Sequence, residues 1–136
     1  MVRLEFDRLF REEYPKLVAL GMSVTGDREV ARELAQETML RAHSNWSALE
    51  TYENPRAWLR RVMSNLAIDH YRSRGTERVA LERLRPAVAE APPPSPVPPD
   101  TAWAELMAPL TPLQRVIATL YYAEDRSVLE IAAELD

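Results

Sequence analysis

Apolar residues recur at intervals of three and four along most of the chain, the spacing that is typical of amphipathic helices. The clearest stretch begins at Asn54-Pro55, where a residue suited to an N-cap precedes a proline suited to the first helical turn. The apolar face of this stretch consists of Trp58, Leu59, Val62, Met63 and Leu66. We therefore predict a long helix here that ends near Arg74-Gly75, with at most a short helical turn after it.

Two further predicted helices precede this segment. The first spans about residues 3–24, and we expect Pro15 to kink it or to divide it in two. Gly26-Asp27 then supplies a helix-ending glycine and an N-cap, and the second helix spans about residues 28–45. No part of the chain shows the alternation that is typical of strands, so the predicted fold class is all-α.

A proline-rich stretch divides the predicted helices into two modules. Residues 86–100 contain seven of the eleven prolines, a composition that favours an extended linker over helix or sheet. The predicted domains are therefore residues 1–85, the linker 86–100, and residues 101–136. Within the last of these, Thr111-Pro112 and Ser127 indicate the starts of two helices, after a short helix that ends near residue 107.

The composition is that of an ordinary globular protein, with 46% hydrophobic and 28% charged residues. The chain has no cysteine, which excludes disulfides and thiolate metal sites and fits a reducing compartment. No apolar run is long enough to span a bilayer, and the first residues lack the apolar segment of a signal peptide. We therefore expect a cytoplasmic protein that does not insert into a membrane.

Positive charge is concentrated in one segment. Residues 56–85 contain eight arginines and three acidic residues, a net charge of +5, whereas residues 1–55 and 86–136 have net charges of −3 and −6. In a chain whose total net charge is −4, this asymmetry indicates a local contact with a polyanion. Because the chain as a whole is acidic, we expect nucleic-acid binding to need a partner.

One face of the long predicted helix carries the candidate chemistry. Arg61, Asn65, Asp69 and Arg72 follow one another at steps of four, four and three residues. Arginine and asparagine side chains can read base edges or hold phosphates. The alternative interpretation is an ordinary solvated face, which is what an arginine-rich helix surface most often is.

Six segments, in this order and at these separations, resemble the extracytoplasmic-function class of bacterial RNA polymerase sigma factors in the sigma-70 family. They are FDRLF at 6–10, AQETMLRA at 35–42, PRAWL at 55–59, NLAIDHYR at 65–72, LTPLQR at 110–115 and EIAAEL at 130–135. The resemblance covers nearly the whole chain except the linker. It implies that the first module is the helical bundle of conserved region 2 and that residues 101–136 begin conserved region 4.

The resemblance implies two contacts for region 2. Its second helix would dock on the coiled-coil clamp of the largest polymerase subunits, through Leu34, Gln36, Glu37 and Arg41. Its third helix and the loop before it, residues 47–54, would hold the non-template strand of the minus-ten promoter element. For the second helix, a plain solvated face with intrahelical ion pairs is the alternative.

In the implied strand contact, one base is flipped into a pocket of the loop, which exposes the Watson–Crick edge that stacking hides. By resemblance, Asn65 lies near that pocket, and Asp69 either reads an amino group or orients Arg72. The phosphates of the strand would be held by Arg56, Arg60, Arg61, Arg72 and Arg74.

Region 4 of the family is a helix-turn-helix module, and this sequence contains its scaffolding helix without the basic recognition helix that follows. Residues 101–136 have no evident means of binding minus-thirty-five DNA, so either the sequence is part of a longer chain or the protein works without this contact. The predicted function is transcription initiation as a sigma factor, with core RNA polymerase, the single-stranded minus-ten element and an anti-sigma factor as partners, and no cofactor. One alternative is a decoy that binds polymerase or an anti-sigma factor without capturing a promoter. The other is a helical-bundle hydrolase that uses Glu33 and Glu37, although the sequence indicates no enzyme.

Overall fold

The computed structural model describes residues 2–84 and 101–135, which form seven helices and no strand. These are α1 (Val2–Thr25), α2 (Arg28–Ser44), α3 (Trp46–Leu49), α4 (Pro55–Leu84), α5 (Thr101–Met107), α6 (Pro112–Tyr122) and α7 (Val128–Leu135). Within these two ranges, the all-α prediction is confirmed. The predicted linker, residues 86–100, lies outside the described residues.

The structure excludes one of the two expectations for Pro15, a division of the first helix, and the predicted end of the long helix is wrong. Pro15 lies inside the continuous helix α1 and does not divide it. Both Pro15 and Arg11, whose carbonyl loses its usual hydrogen-bond donor, face solvent, so water can satisfy that carbonyl. Likewise α4 continues through Gly75 to Leu84 instead of ending at the glycine. A glycine inside a helix costs only about 1 kcal/mol relative to alanine, which the rest of the helix can offset.

The predicted helix starts are confirmed by their capping hydrogen bonds. The Asp27 carboxylate accepts the backbone N–H groups of Glu29 and Val30 at 3.0 and 3.3 Å, and it follows Gly26 in the left-handed conformation, φ 73°. Ser127 and Glu130 cap α7 reciprocally, with each side chain bonded to the other residue's backbone N–H. These contacts join residues within three positions, so the local sequence determines them.

Helices α1, α2 and α4 pack closely because small residues lie where they meet. A Cβ atom built on Gly21 of α1 would lie 2.5 Å from Met63 Cε of α4 and 3.1 Å from Ala31 Cα of α2. Ala35 and Ala42 extend the small, buried face of α2. The close approach excludes water from the centre of the bundle and fixes which face of α4 points outward.

The helices on both sides of residues 85–100 share one hydrophobic core. Val116 and Leu120 of α6 and Ile131 of α7 are buried in the same cluster as the residues of α1, α2 and α4. Arg115 of α6 donates to the carbonyl oxygen of Val24, the buried residue near the end of α1, at 2.8 Å. The second helical segment is therefore docked on the first, while the predicted domain boundaries stay predictions.

Candidate nucleic-acid interface

The start of α4 is built by local hydrogen bonds and one buried anchor. Asn54 Oδ1 accepts the backbone N–H of Ala57 at 3.1 Å, and Pro55 is the first helical residue, as the sequence indicates. In the preceding loop, Leu49 is only 1% exposed and fixes α3 to the core, whereas residues 50–54 are exposed. The loop thus presents polar groups to solvent at the N-terminal end of α4, where the helix dipole favours an anion.

The outward face of α4 contains Arg61, Asn65 and Asp69, all exposed, while Leu59 and Met63 on the opposite face are fully buried. Among the described residues, none forms a side-chain hydrogen bond or ion pair with Arg61, Asn65 or Asp69. Arg72 extends the exposed face by one turn. Arg61, Asn65 and Asp69 therefore present a cation, an amide and a carboxylate whose hydrogen-bonding capacity is open to a ligand.

Arg56 is held by two carboxylates of α1. Its Nη2 atom lies 2.7 Å from Glu12 Oε2, and its Nε atom lies 2.8 Å from Glu13 Oε1. The hydrogen bond from Arg56, followed by that from Arg8, lowers the pKa of Glu12, and the same contact with Glu12 raises the pKa of Arg56. Arg56 is still 47% exposed, so one side of its guanidinium remains open to an anion.

Arg60 does not belong to the exposed face. Its side chain is 5% exposed, and three carboxylates surround it: Nε lies 3.0 Å from Glu124 Oε2, Nη2 lies 3.6 Å from Glu13 Oε2, and Nη1 lies 3.8 Å from Glu134 Oε1. The prediction that Arg60 holds a strand phosphate is wrong for this conformation, because a phosphate would have to displace carboxylates from a buried site. The sequence missed this contact because Glu124 lies 64 residues away in the chain.

Arg74, at the far end of the described basic residues of α4, is exposed and lies 3.9 Å from the Asp27 carboxylate that caps α2. An exposed ion pair at this distance contributes less than about 1 kcal/mol, so Asp27 does not prevent Arg74 from contacting a phosphate. The structure thus brings Arg61, Asn65 and Asp69 together, leaves Arg56 and Arg74 partly engaged, and buries Arg60.

The residues predicted to contact polymerase also differ in their exposure. Gln36, Glu37 and Arg41 are exposed on α2, and Arg41 Nε lies 3.0 Å from Glu37 Oε1. Leu34 instead is half-buried and packs against the core. Leu40, which is not among the residues predicted to contact polymerase, is 64% exposed on the same helix. The signal for Leu40 in the sequence is that it is an apolar residue at a position outside the buried stripe of the helix.

The described residues give no support to metal or membrane chemistry. Within them, no group of three or more histidine, aspartate or glutamate side chains could hold a metal ion. In the same part of the chain, no helix is both long and apolar enough to cross a membrane.

Comparison with known proteins identifies the family of the chain. The family described as Sigma-70 region 2 matches residues 9–77, about half of the chain, which include α2 and the exposed face of α4. The chain belongs to the sigma-70 family of RNA polymerase sigma factors. Relatives named sigma-E and ECF factors identify it as an extracytoplasmic-function sigma factor. It is accordingly a transcription initiation factor and not an enzyme, which excludes the hydrolase alternative.

Three relatives illustrate the extent of the likeness. An RNA polymerase sigma-E factor of Streptomyces antibioticus is 30% identical over 133 residues, 97% of this chain and 73% of the relative. The probable RNA polymerase sigma factor RfaY of Xanthomonas campestris pv. campestris is 32% identical over 130 residues, 88% of this chain and 32% of the relative. The ECF RNA polymerase sigma factor EcfG of Rhodopseudomonas palustris is 38% identical over 63 residues, 46% of this chain and 35% of the relative.

This sigma factor therefore spans about three quarters of the length of one of these relatives and about a third of each of the other two. No solved structure matches the chain.

Proposed function

We propose that this sigma factor directs core RNA polymerase to promoters by docking α2 on the polymerase clamp and capturing the non-template strand of the minus-ten element with α4. The observation that carries the proposal is the outward face of α4, where Arg61, Asn65 and Asp69 are exposed and, among the described residues, unengaged. Elsewhere on the described part of α4, Leu59 and Met63 are buried, and Arg56 and Arg60 are engaged with acidic residues. The loop of residues 47–54 would receive the flipped base.

The charge of the chain supports a contact that depends on polymerase. With a net charge of −4, the isolated chain repels a DNA backbone at long range. Single-strand binding of this kind combines phosphate neutralisation with contacts to extruded bases, and the outward face of α4 offers a cation, Arg61, and an amide, Asn65, for these contacts. Polymerase would therefore supply the position and most of the affinity, while α4 supplies the contacts with the strand.

The exposed face of α2 supports the proposed docking of this helix on the polymerase clamp. Gln36, Leu40 and Arg41 combine polar groups with one exposed leucine, which is the usual composition of an interface that forms and separates. Leu34 would act only indirectly, because it packs against the core. The anti-sigma partner that the resemblance implies stays a prediction.

The test is fluorescence anisotropy of a labelled minus-ten non-template oligonucleotide, titrated with core polymerase in the presence of the chain. We expect Asn65→Ala and Arg61→Ala each to weaken strand capture about fivefold, the equivalent of losing about 1 kcal/mol of hydrogen bonding. Arg11→Ala is the matched control, because Arg11 is exposed on α1 away from the proposed face, and it should change nothing.

Pull-down of polymerase with each variant measures docking on polymerase separately from strand capture. Asn65→Ala should retain polymerase binding. If the wild-type chain binds polymerase and captures no strand, strand capture by α4 is refuted and the chain acts as a decoy. If all variants, including Arg11→Ala, behave alike, the binding is non-specific.

A further inference from the structure

Asp69 is an isolated acidic residue on the basic stretch of α4. Between residues 55 and 74, the helix contains five arginines and one acidic residue, Asp69. Its side chain is exposed on the same outward face as Arg61 and Asn65. A carboxylate on a face that approaches phosphates repels them, so Asp69 opposes the attraction that the arginines provide. A favourable role for Asp69 in strand binding therefore needs a ligand group that donates hydrogen bonds.

In the structure, Asp69 has none of the local roles that usually explain an aspartate in a helix. It lies in the interior of α4, where the backbone N–H groups are already bonded within the helix, so it caps no helix end. Arg72 is three residues further on, a spacing that suits an intrahelical ion pair, but no hydrogen bond or ion pair joins the two side chains. No other side chain among the described residues pairs with the carboxylate. Both of its oxygens are thus open as acceptors.

The position of Asp69 along the helix places it beside a different base from Asn65. The two residues are four positions apart, which corresponds to about 6 Å along the helix axis. Stacked nucleotides of one strand follow each other at about 3.4 Å. A strand that lies along α4 would therefore present one base to Asn65 and another, one or two nucleotides further along, to Asp69. This second base lies on the side of Asn65 that points away from the loop of residues 47–54.

Guanine is the base whose edge fits a carboxylate best. When a base leaves the stack, its Watson–Crick edge is exposed. On that edge guanine has two adjacent donors, N1–H and the N2 amino group, which match the two oxygens of a carboxylate in a bidentate, charge-assisted contact. Cytosine and adenine each have one amino group beside a ring nitrogen that accepts, and thymine has one N–H between two carbonyl oxygens. The acceptors of these three bases repel a carboxylate that approaches the same edge.

We propose that Asp69 is a specificity-determining residue that reads an unstacked guanine one or two nucleotides from the base beside Asn65; this rests on the proposed function. The arginines of α4 attract any strand, because they pair with phosphates. Asp69 selects among strands, because its charge lies near phosphates without a donor unless guanine is present. Specificity then comes from a repulsive group as well as from an attractive contact.

The test is the anisotropy assay described above, with minus-ten non-template oligonucleotides that carry guanine, inosine or adenine at each position in turn. Inosine differs from guanine only in lacking the N2 amino group. At one position, we expect the wild-type chain with core polymerase to bind guanine about tenfold more tightly than adenine and about fivefold more tightly than inosine.

Asp69→Ala should abolish both preferences. It should also bind the adenine oligonucleotide about twofold more tightly than wild type does, because a charge that repels phosphates is removed. Glu105→Ala is the matched control, because it removes the same charge from an exposed residue of α5, and it should leave both preferences unchanged.

Equal affinities for guanine and adenine at every position, or a guanine preference that Asp69→Ala retains, would overturn the assignment of Asp69. Weaker retention of polymerase by Asp69→Ala in the pull-down would overturn it too, because Asp69 would then contact protein. In these cases, strand capture by the wild-type chain leaves the proposed function intact. If the wild-type chain captures no strand, the proposed function fails, and the assignment of Asp69 fails with it.

Discussion

Glu13 is the carboxylate on which the contacts between α1 and α4 converge. Its side chain is 1% exposed, with Oε1 at 2.8 Å from Arg56 Nε and 3.9 Å from Lys16 Nζ, and Oε2 at 3.6 Å from Arg60 Nη2. Glu13→Gln keeps the shape of the side chain and removes its charge. The two arginines would then lose one shared counter-charge, and Arg60 would lose it in a buried position.

The expected loss of stability depends on which carboxylate partners each arginine keeps after the substitution. Removing one partner of a buried ion pair typically costs about 3–5 kcal/mol. Arg56 keeps Glu12 at 2.7 Å and Arg60 keeps Glu124 at 3.0 Å, so neither guanidinium is left unpaired. We therefore expect Glu13→Gln to lower the free energy of unfolding by about 2–3 kcal/mol, below that range.

Urea denaturation followed by circular dichroism measures this loss. With a slope of about 1–3 kcal/mol per molar urea, the midpoint should fall by roughly 1 M while the slope stays unchanged. Glu12→Gln is the matched control, because Glu12 also binds Arg56 but is exposed, and it should cost clearly less stability than Glu13→Gln. Equal losses for the two variants, or a loss under about 0.5 kcal/mol for Glu13→Gln, would refute the argument that burial decides the strength of this cluster.

Three further predictions concern stability. Gly26→Ala should cost about 1–2 kcal/mol in urea denaturation, because Gly26 has φ 73° and an alanine there is strained although its Cβ meets no atom within 4 Å. Met63→Ala should cost about 2–5 kcal/mol by the same assay, because Met63 is fully buried and leaves a cavity; a smaller loss would mean that the helices close around Gly21. Ion pairing holds the pKa of Glu12 below 4.5, so its contribution to stability is present above that pH and is lost as the pH falls through its folded value. Acid titration should therefore show a shallower loss of stability below pH 4.5 in Glu12→Gln than in wild type. Parallel curves of stability against pH for the two proteins would contradict the lowered pKa of Glu12.

The sequence alone determined where α2, α4 and α7 start. The N-caps at Asn54, Asp27 and Ser127 were predicted and are present, because each capping bond joins residues two or three positions apart. The outward face of α4 was predicted for the same reason. Once Leu59 and Met63 define the buried side, the helical period places Arg61 and Asn65 on another side.

Only the tertiary structure decided which of the basic residues are available. By sequence, Arg60 and Arg61 are neighbouring arginines on the same helix, and no local pattern shows that carboxylates from other segments enclose Arg60. Arg60 is buried because Glu13, Glu124 and Glu134 reach it from α1, the end of α6 and α7, and the acids nearest in sequence are not the ones that pair with it. Ion pairs between distant segments depend on how helices dock, and docking is set by the packed core of small and apolar residues, which no local pattern encodes.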